Sequence, residues 1–176
     1  MSASQLRAAI TAWLQPPAVP GLTRVYPAFP VFAPGQDWRL EEGQGSGAVG
    51  YVHLAQQRER RITIGGEHGG TKQVMWQVAL VLVYRHLLPS SVIDSGEDTA
   101  AGWAGPYDRL IDAVCERLRA DRTLGTGGAV VWQAAEGSGD GAGDDLVIDS
   151  DLPAVNAGQV VQFTAITFTA IQMINP

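Results

Sequence analysis

The chain predicts an α+β fold, a largely antiparallel β-sheet with two main α-helices packed on one side, and three patterns carry that prediction. An amphipathic stripe of Leu6, Ala9, Ile10, Trp13 and Leu14 opens the chain at helical spacing. A second stripe of Tyr107, Leu110, Ile111, Val114, Cys115 and Leu118 marks another helix. Between them, residues 74–87 form a long strand whose two faces are both apolar: Trp76, Val78, Leu80, Leu82 and Tyr84 on one, Met75, Ala79, Val81 and Val83 on the other. A strand oily on both sides is central and covered twice, by helices or by a neighbouring subunit. Two helices cannot cover both faces of a wide sheet, so both are placed on the same face. With 176 residues, no internal repeat and no linker composition, residues 1–176 are expected to form one domain.

The first helix is capped by Ser2 or Ser4 and stopped by Pro16 and Pro17, which cannot donate the backbone hydrogen bond a continuing helix needs. A short strand at residues 23–26 follows. Pro27, Pro30 and Pro34 then keep the next loop extended and out of a central strand. Residues 43–50 have the composition of a flexible loop. Residues 49–56 and 61–65 suggest two strands around the charged corner QQRER. Pro89 closes the long strand, and residues 89–105 form a polar loop.

Pro106 is placed at the first position of the second helix, where a missing N–H costs nothing. Asp108 near its start and Arg117 and Arg119 near its end complement the helix dipole. Gly125, Gly127 and Gly128 end that region. Strands are expected at residues 129–135, 146–148 and 160–171, with an acidic hairpin tip between Glu136 and Asp145.

Composition narrows the function classes. Hydrophobic residues at 45% and charged residues at 17% make the chain globular rather than disordered. The net charge of −6 argues against a dedicated nucleic-acid surface, which needs clustered Lys and Arg to neutralise phosphates. Lys72 is the one lysine, so the other basic side chains are arginines, suited to planar contacts at interfaces. The single cysteine, Cys115, makes no intrachain disulfide or cysteine-rich zinc site, and on its helix's apolar stripe it is expected in the core. The longest apolar run, residues 78–84, is too short to cross a bilayer as a helix. The first residues lack a cleavage site, which predicts no signal peptide.

No motif specifies catalysis. GGEHGGTK at residues 65–72 approaches a phosphate loop, but Thr71 and Lys72 stand in reversed order and a strand, not a helix N-terminus, is expected next. Gly45, Gly47 and Gly50 match GxGxxG without the strand-to-helix context that gives it meaning. His53, His68 and His86 have no metal-ligand spacing, and no serine sits on a GxSxG elbow. Asp140, Asp144, Asp145, Asp149 and Asp151 cluster with glycines but lack EF-hand spacing. No catalytic residue, cofactor or metal is therefore expected. The corner Arg58, Glu59, Arg60 and Arg61 is either a solvated end or an intersubunit contact pairing Arg with a neighbour's carboxylate.

The phrases LTRVYPAFP, ERRITIGGEHGGTKQVMWQVALVLVYRH, PYDRLIDAVCERLRADRTLG and VVQFTAITFTAIQ, in this order after an amphipathic helix, resemble the tail terminator proteins of long-tailed bacteriophages, particularly those of actinobacteria. The resemblance spans nearly the whole chain. It implies a non-enzymatic virion protein, assembled in the host cytoplasm. Its subunits would form a hexameric ring at the head-proximal end of the tail tube, ending polymerisation and providing the head–tail joining surface. Its implied partners are further copies of the chain, the tail tube protein and a head–tail connector or stopper protein, with DNA passing through the lumen without specific binding and no membrane involved.

On that basis Arg58, Glu59, Arg60 and Arg61 are candidates for the subunit interface, and Glu136, Asp140, Asp144 and Asp145 for a lumen- or tube-facing acidic loop. Another neck, connector or tail-completion protein is the alternative, since such proteins share the fold. From other classes, a small α+β enzyme and a host-encoded binding module remain the rivals.

Overall fold

Helix α1, Ala3–Leu14, starts at a capping box: the Gln5 N–H donates to Ser2 Oγ, while the Ser2 N–H donates to Gln5 Oε1 at 2.7 Å. This structure, a computed structural model, describes residues 1–31, 45–62, 70–88, 102–132, 146–156 and 158–174. The helix buries Leu6, Ile10, Thr11 and Leu14 and ends before Pro16, where Gln15 turns to an extended ψ of 146°. The Gln15 side chain then donates to the Val25 carbonyl at 2.7 Å, fixing the helix exit against the first strand.

The sheet comprises β1 (Leu22–Tyr26), β2 (Ser46–Arg61), β3 (Lys72–Leu87), β4 (Val131–Trp132), β5 (Val147–Ser150), β6 (Ala154–Asn156) and β7 (Gln159–Ile174); helix α2 (Ala104–Ala120) lies between β3 and β4 in sequence. In space the order is β1-β2-β3-β7. The outer edge of β7 carries β6, β5 and β4 along successive stretches. Every pairing is antiparallel except that of β1 with β2. The strand predicted to be central is central: β3 pairs along its whole length with β7 on one side and β2 on the other.

Strand alternation decides which side chains meet the helices. Val74, Trp76, Val78, Leu80, Leu82 and Tyr84 of β3 share one face and are buried. Register places Ala170, Phe168 and Ile166 of β7 beside Trp76, Val78 and Leu80. These residues form one core with Leu6, Ile10 and Leu14 of α1 and with Leu110, Val114, Cys115 and Leu118 of α2. Both helices therefore pack on the same side of a mostly antiparallel sheet. Cys115 is only 3% exposed and its burial among apolar side chains raises the thiol pKa.

The local boundaries differ from expectation in informative ways. QQRER is not a corner between two strands; residues 56–60 continue β2, and pairing extends past Arg61, where the Ile62 N–H donates to the Thr71 carbonyl at 2.9 Å. All of 55–61 is exposed, so here β2 has water on both sides and its residues lack the apolar alternation that announces a strand.

Residues 46–48, expected only in a loop, begin β2, three residues ahead of the expected strand start at Val49. Gly50 leaves room there for Leu82: a Cβ would sit 3.0 Å from Leu82 Cδ2, so the leucine would have to shift. Helix α2 begins at Ala104 with no side-chain cap, placing Pro106 at its third residue rather than its first, still within the turn whose N–H groups lack helical partners. β4 is confined to two residues among those described, and β6, too short to show periodicity, was not expected.

The opposite face of the sheet carries Val83 and Ala79, buried at 2% and 8% exposure, but also Phe163 and Met173, which are 44% and 50% exposed. The described residues place no helix there. Phe29 meets Tyr51 on this side, edge to face at 5.3 Å.

Candidate functional site

Two surfaces hold the described residues best suited to recognition. The first is the end of the β2–β3 hairpin. A one-residue bulge at Ala55 shifts the register between Leu54 and Gln56, and an extra residue reverses which side each later side chain takes. Before the bulge, Val49, Tyr51 and His53 pair with Val83, Val81 and Ala79 and share the helix-free face. After it, Gln56, Arg58 and Arg60 pair with Gln77, Met75 and Gln73 and occupy that same face.

The predicted interface corner is thereby split. Arg58 and Arg60 lie on the helix-free face, whereas Glu59 and Arg61 lie on the other. Glu59 is held by Lys72 at 2.9 Å, with both side chains well exposed. This pair is worth little in stability, but it satisfies the one acidic side chain of the corner. Gln56, Arg58, Met75, Gln77 and Thr169 line a shallow depression of about 250 Å³ here.

The second surface is a groove of about 500 Å³ between α2 and the edge strand β5, lined by Tyr107, Asp108, Ile111, Asp112, Ile148 and Ser150. Asp108 and Asp112 are one helical turn apart, and both are exposed. Ile148 is 46% exposed and supplies apolar floor. At its base, the Tyr107 hydroxyl lies 2.6 Å from Ser150 Oγ and 2.8 Å from Thr164 Oγ1, themselves 3.1 Å apart. The Tyr107 ring also packs edge to face on Tyr84. Burial raises the Tyr84 pKa, and its hydroxyl donates to the Trp103 carbonyl at 3.3 Å. The hydroxyl cluster thus fixes β5 against α2 and gives the groove a rigid wall.

The groove was not legible in the sequence. Its residues lie on two elements separated by more than 30 positions, and only the β5–β7 register brings Ser150 to Thr164. Of its acidic pair only Asp108 stands out in the sequence, as a charge complementing the helix start; Asp112, one turn further on, does not.

The other sequence candidates fall elsewhere. Glu136, Asp140, Asp144, Asp145 and His68 lie outside the described residues, as does most of the 65–72 glycine loop. Lys72, its last member, starts β3 rather than a helix, so it is not at a phosphate-cradling helix N-terminus. His53 is exposed on β2, and His86 Nδ1 lies 3.5 Å from the Tyr84 hydroxyl. Asp149 is exposed on β5; the Asp151 backbone carbonyl accepts from Gln162 Nε2 at 2.6 Å. Among the described residues no group of three or more His, Cys, Asp or Glu could hold a metal ion, and no helix is long and apolar enough to cross a membrane.

No protein-family model matches the chain, and no curated protein matches it.

Proposed function

We propose that the chain is a structural subunit of a closed ring, and specifically a phage tail terminator: a hexameric collar on the head-proximal end of the tail tube that halts tube polymerisation and offers a joining surface to the head. The observation carrying this reading is the helix-free sheet face, which leaves Phe163 exposed near one end and Met173 exposed at the other, beside the charged hairpin end bearing Arg58 and Arg60. Apolar side chains rimmed by charge on an open sheet suit a protein partner better than a small substrate.

A ring needs two different, complementary patches on each subunit. The hairpin end and the α2–β5 groove are two such patches. The net charge of −6 adds a compatible property, since an acidic subunit can line a channel through which DNA slides without sticking. The partners on this reading are further copies of the chain, the tail tube protein and a connector or stopper, with no cofactor and no catalysis.

Native mass spectrometry and negative-stain microscopy of the purified chain, alone and with tail tubes, test the reading. The expected result is a ring, or a ring-shaped cap at one end of each tube. Reversing charge at Arg60, on the helix-free face, is expected to weaken assembly while the monomer stays folded, and reversal at Arg61, on the other face, is expected to matter less. A monomer that neither forms rings nor binds tubes would remove the terminator reading. A ring that binds a connector but ignores tubes would move the protein to another station of the neck.

A further inference from the structure

We propose that the hairpin end of one copy docks in the α2–β5 groove of the next, with Arg58 and Arg60 paired to Asp108 and Asp112. The occupant, a second copy of this chain, rests on the ring reading above; the choice of surfaces rests on charge, spacing and reach.

Charge comes first. Among the described residues, Arg58, Arg60, Asp108 and Asp112 have no ion-pair partner, whereas the intervening Glu59 is occupied by Lys72. The hairpin end therefore presents net positive charge on its helix-free face. On α2, Asp108, Asp112 and Glu116 recur every fourth residue, and all are exposed. Arg109, the nearest basic side chain on that helix, is turned back over its own first turn, its guanidinium 3.5 Å from where a Cβ on Gly105 would stand. The groove keeps its negative character.

Spacing comes next. Side chains two apart on one face of a strand stand about 6.7 Å apart, and those four apart on a helix about 5–6 Å apart at Cβ. Two arginines at the first spacing can meet two aspartates at the second simultaneously, each guanidinium presenting its planar fork to one carboxylate. Met75, the cross-strand neighbour of Arg58, is then brought towards Ile111 and Ile148 in the groove, adding apolar contact beneath the charges.

Reach excludes pairing within one chain. Arg58 pairs with Met75, while Ile148 reaches Leu80 through Ile166. Five residues along the strands and three strand spacings across them put the two surfaces about 20 Å apart, beyond an arginine side chain. Donor and acceptor are different patches of one subunit, so the contact is head-to-tail and propagates into a ring when its rotation closes.

The bulge at Ala55 has a role in this arrangement. Without the extra residue, Arg58 and Arg60 would take the helix-covered side of the sheet and Glu59 the open side.

Charge swapping tests the contact on the whole 176-residue chain. Two double variants are made, Arg58→Glu with Arg60→Glu and Asp108→Lys with Asp112→Lys, and each is checked for native circular dichroism and thermal midpoint. Sedimentation and native mass spectrometry then follow each alone and an equimolar mixture. Each variant alone is expected to lose self-association, by about tenfold per reversed pair.

The mixture is expected to recover assembly with the variants alternating, because each interface then joins either a reversed end to a reversed groove or a native end to a native groove. Misfolding cannot produce recovery by mixing. Assembly of either variant at wild-type strength, or loss in both without recovery in the mixture, overturns the contact while leaving the ring reading intact. Variants that form rings normally but no longer cap tail tubes would assign these surfaces to the tube instead, and also overturn it. A wild-type chain that stays monomeric with and without tubes removes both the contact and the ring.

Discussion

Trp13 and Arg117, 104 positions apart, bind each other reciprocally: the Trp13 indole N–H donates to the Arg117 carbonyl at 3.2 Å, and Arg117 Nε donates to the Trp13 carbonyl at 3.2 Å. The guanidinium also lies 3.4 Å from the centre of the indole ring. The last turn of α1 is thereby tied directly to the last turn of α2. Gly125 closes over the same indole at a φ of +71°, and a Cβ there would meet Trp13 Cε3 at 3.3 Å. Two helices that share the sheet as a common floor are thus also joined at their ends.

Replacing Arg117 by Met keeps most of the apolar stem but removes the cation over the ring and the hydrogen bond to the Trp13 carbonyl. A partly exposed cation–π contact and one charged hydrogen bond together predict a loss of about 1–3 kcal/mol. Urea unfolding followed by Trp fluorescence measures it. A midpoint equal to wild type would show that the guanidinium contributes only packing.

The Tyr107 hydroxyl predicts a smaller effect of a different kind. In Tyr107→Phe the ring still packs on Tyr84 and Trp103, and Ser150 and Thr164 keep their own 3.1 Å contact. Stability is expected to fall by about 1 kcal/mol. A double-mutant cycle with Ser150→Ala should give clear coupling between the sites. Strict additivity would mean that the three hydroxyls do not act as a unit.

These contacts mark where the sequence stopped being legible. The stripes of α1 and α2 and the two apolar faces of β3 were readable because each reports burial at a fixed period within one segment. The stretch 55–61 was not, because β2 there runs beyond the helix layer with water on both sides, so nothing selects an alternation. The arginines' side of the sheet turned on one unpaired residue, Ala55, which composition does not announce. Contacts such as Trp13 to Arg117 and Tyr107 to Thr164 depend on how distant elements dock. A single sequence encodes that only through the whole fold.

Cys115 offers a direct probe of the core. It is 3% exposed on the sheet-facing side of α2, and burial raises its thiol pKa, so little reactive thiolate exists in the folded chain at neutral pH. A thiol reagent is expected to modify it only as fast as the protein opens, with the rate rising in step with denaturant-induced unfolding. Rapid stoichiometric labelling of the native protein would place α2 in frequent local opening, at odds with a helix whose Leu110, Val114 and Leu118 are all 2% exposed or less.

The turn after α2 predicts a specific pH dependence. The Asp121 carboxylate accepts from the Thr123 hydroxyl at 2.7 Å, the Thr123 N–H at 2.8 Å and the Gly125 N–H at 3.0 Å. These bonds, the Thr123 side chain foremost, hold its pKa below the ordinary carboxylate value. A carboxyl whose folded pKa is depressed stabilises the fold above its unfolded pKa, and that contribution is lost as pH falls through the folded pKa. Asp121→Ala is therefore expected to lower the thermal midpoint at neutral pH. The gap from wild type should narrow below the usual carboxylate range, as both proteins then lack the charged acceptor. Thr123→Val removes the leading cause of the shift, so the wild-type advantage over that variant should fade in the same window. A gap from Asp121→Ala that stays constant into strong acid would mean that the ionised carboxylate does not hold the turn, and that Gly125 keeps its place against Trp13 through backbone geometry alone.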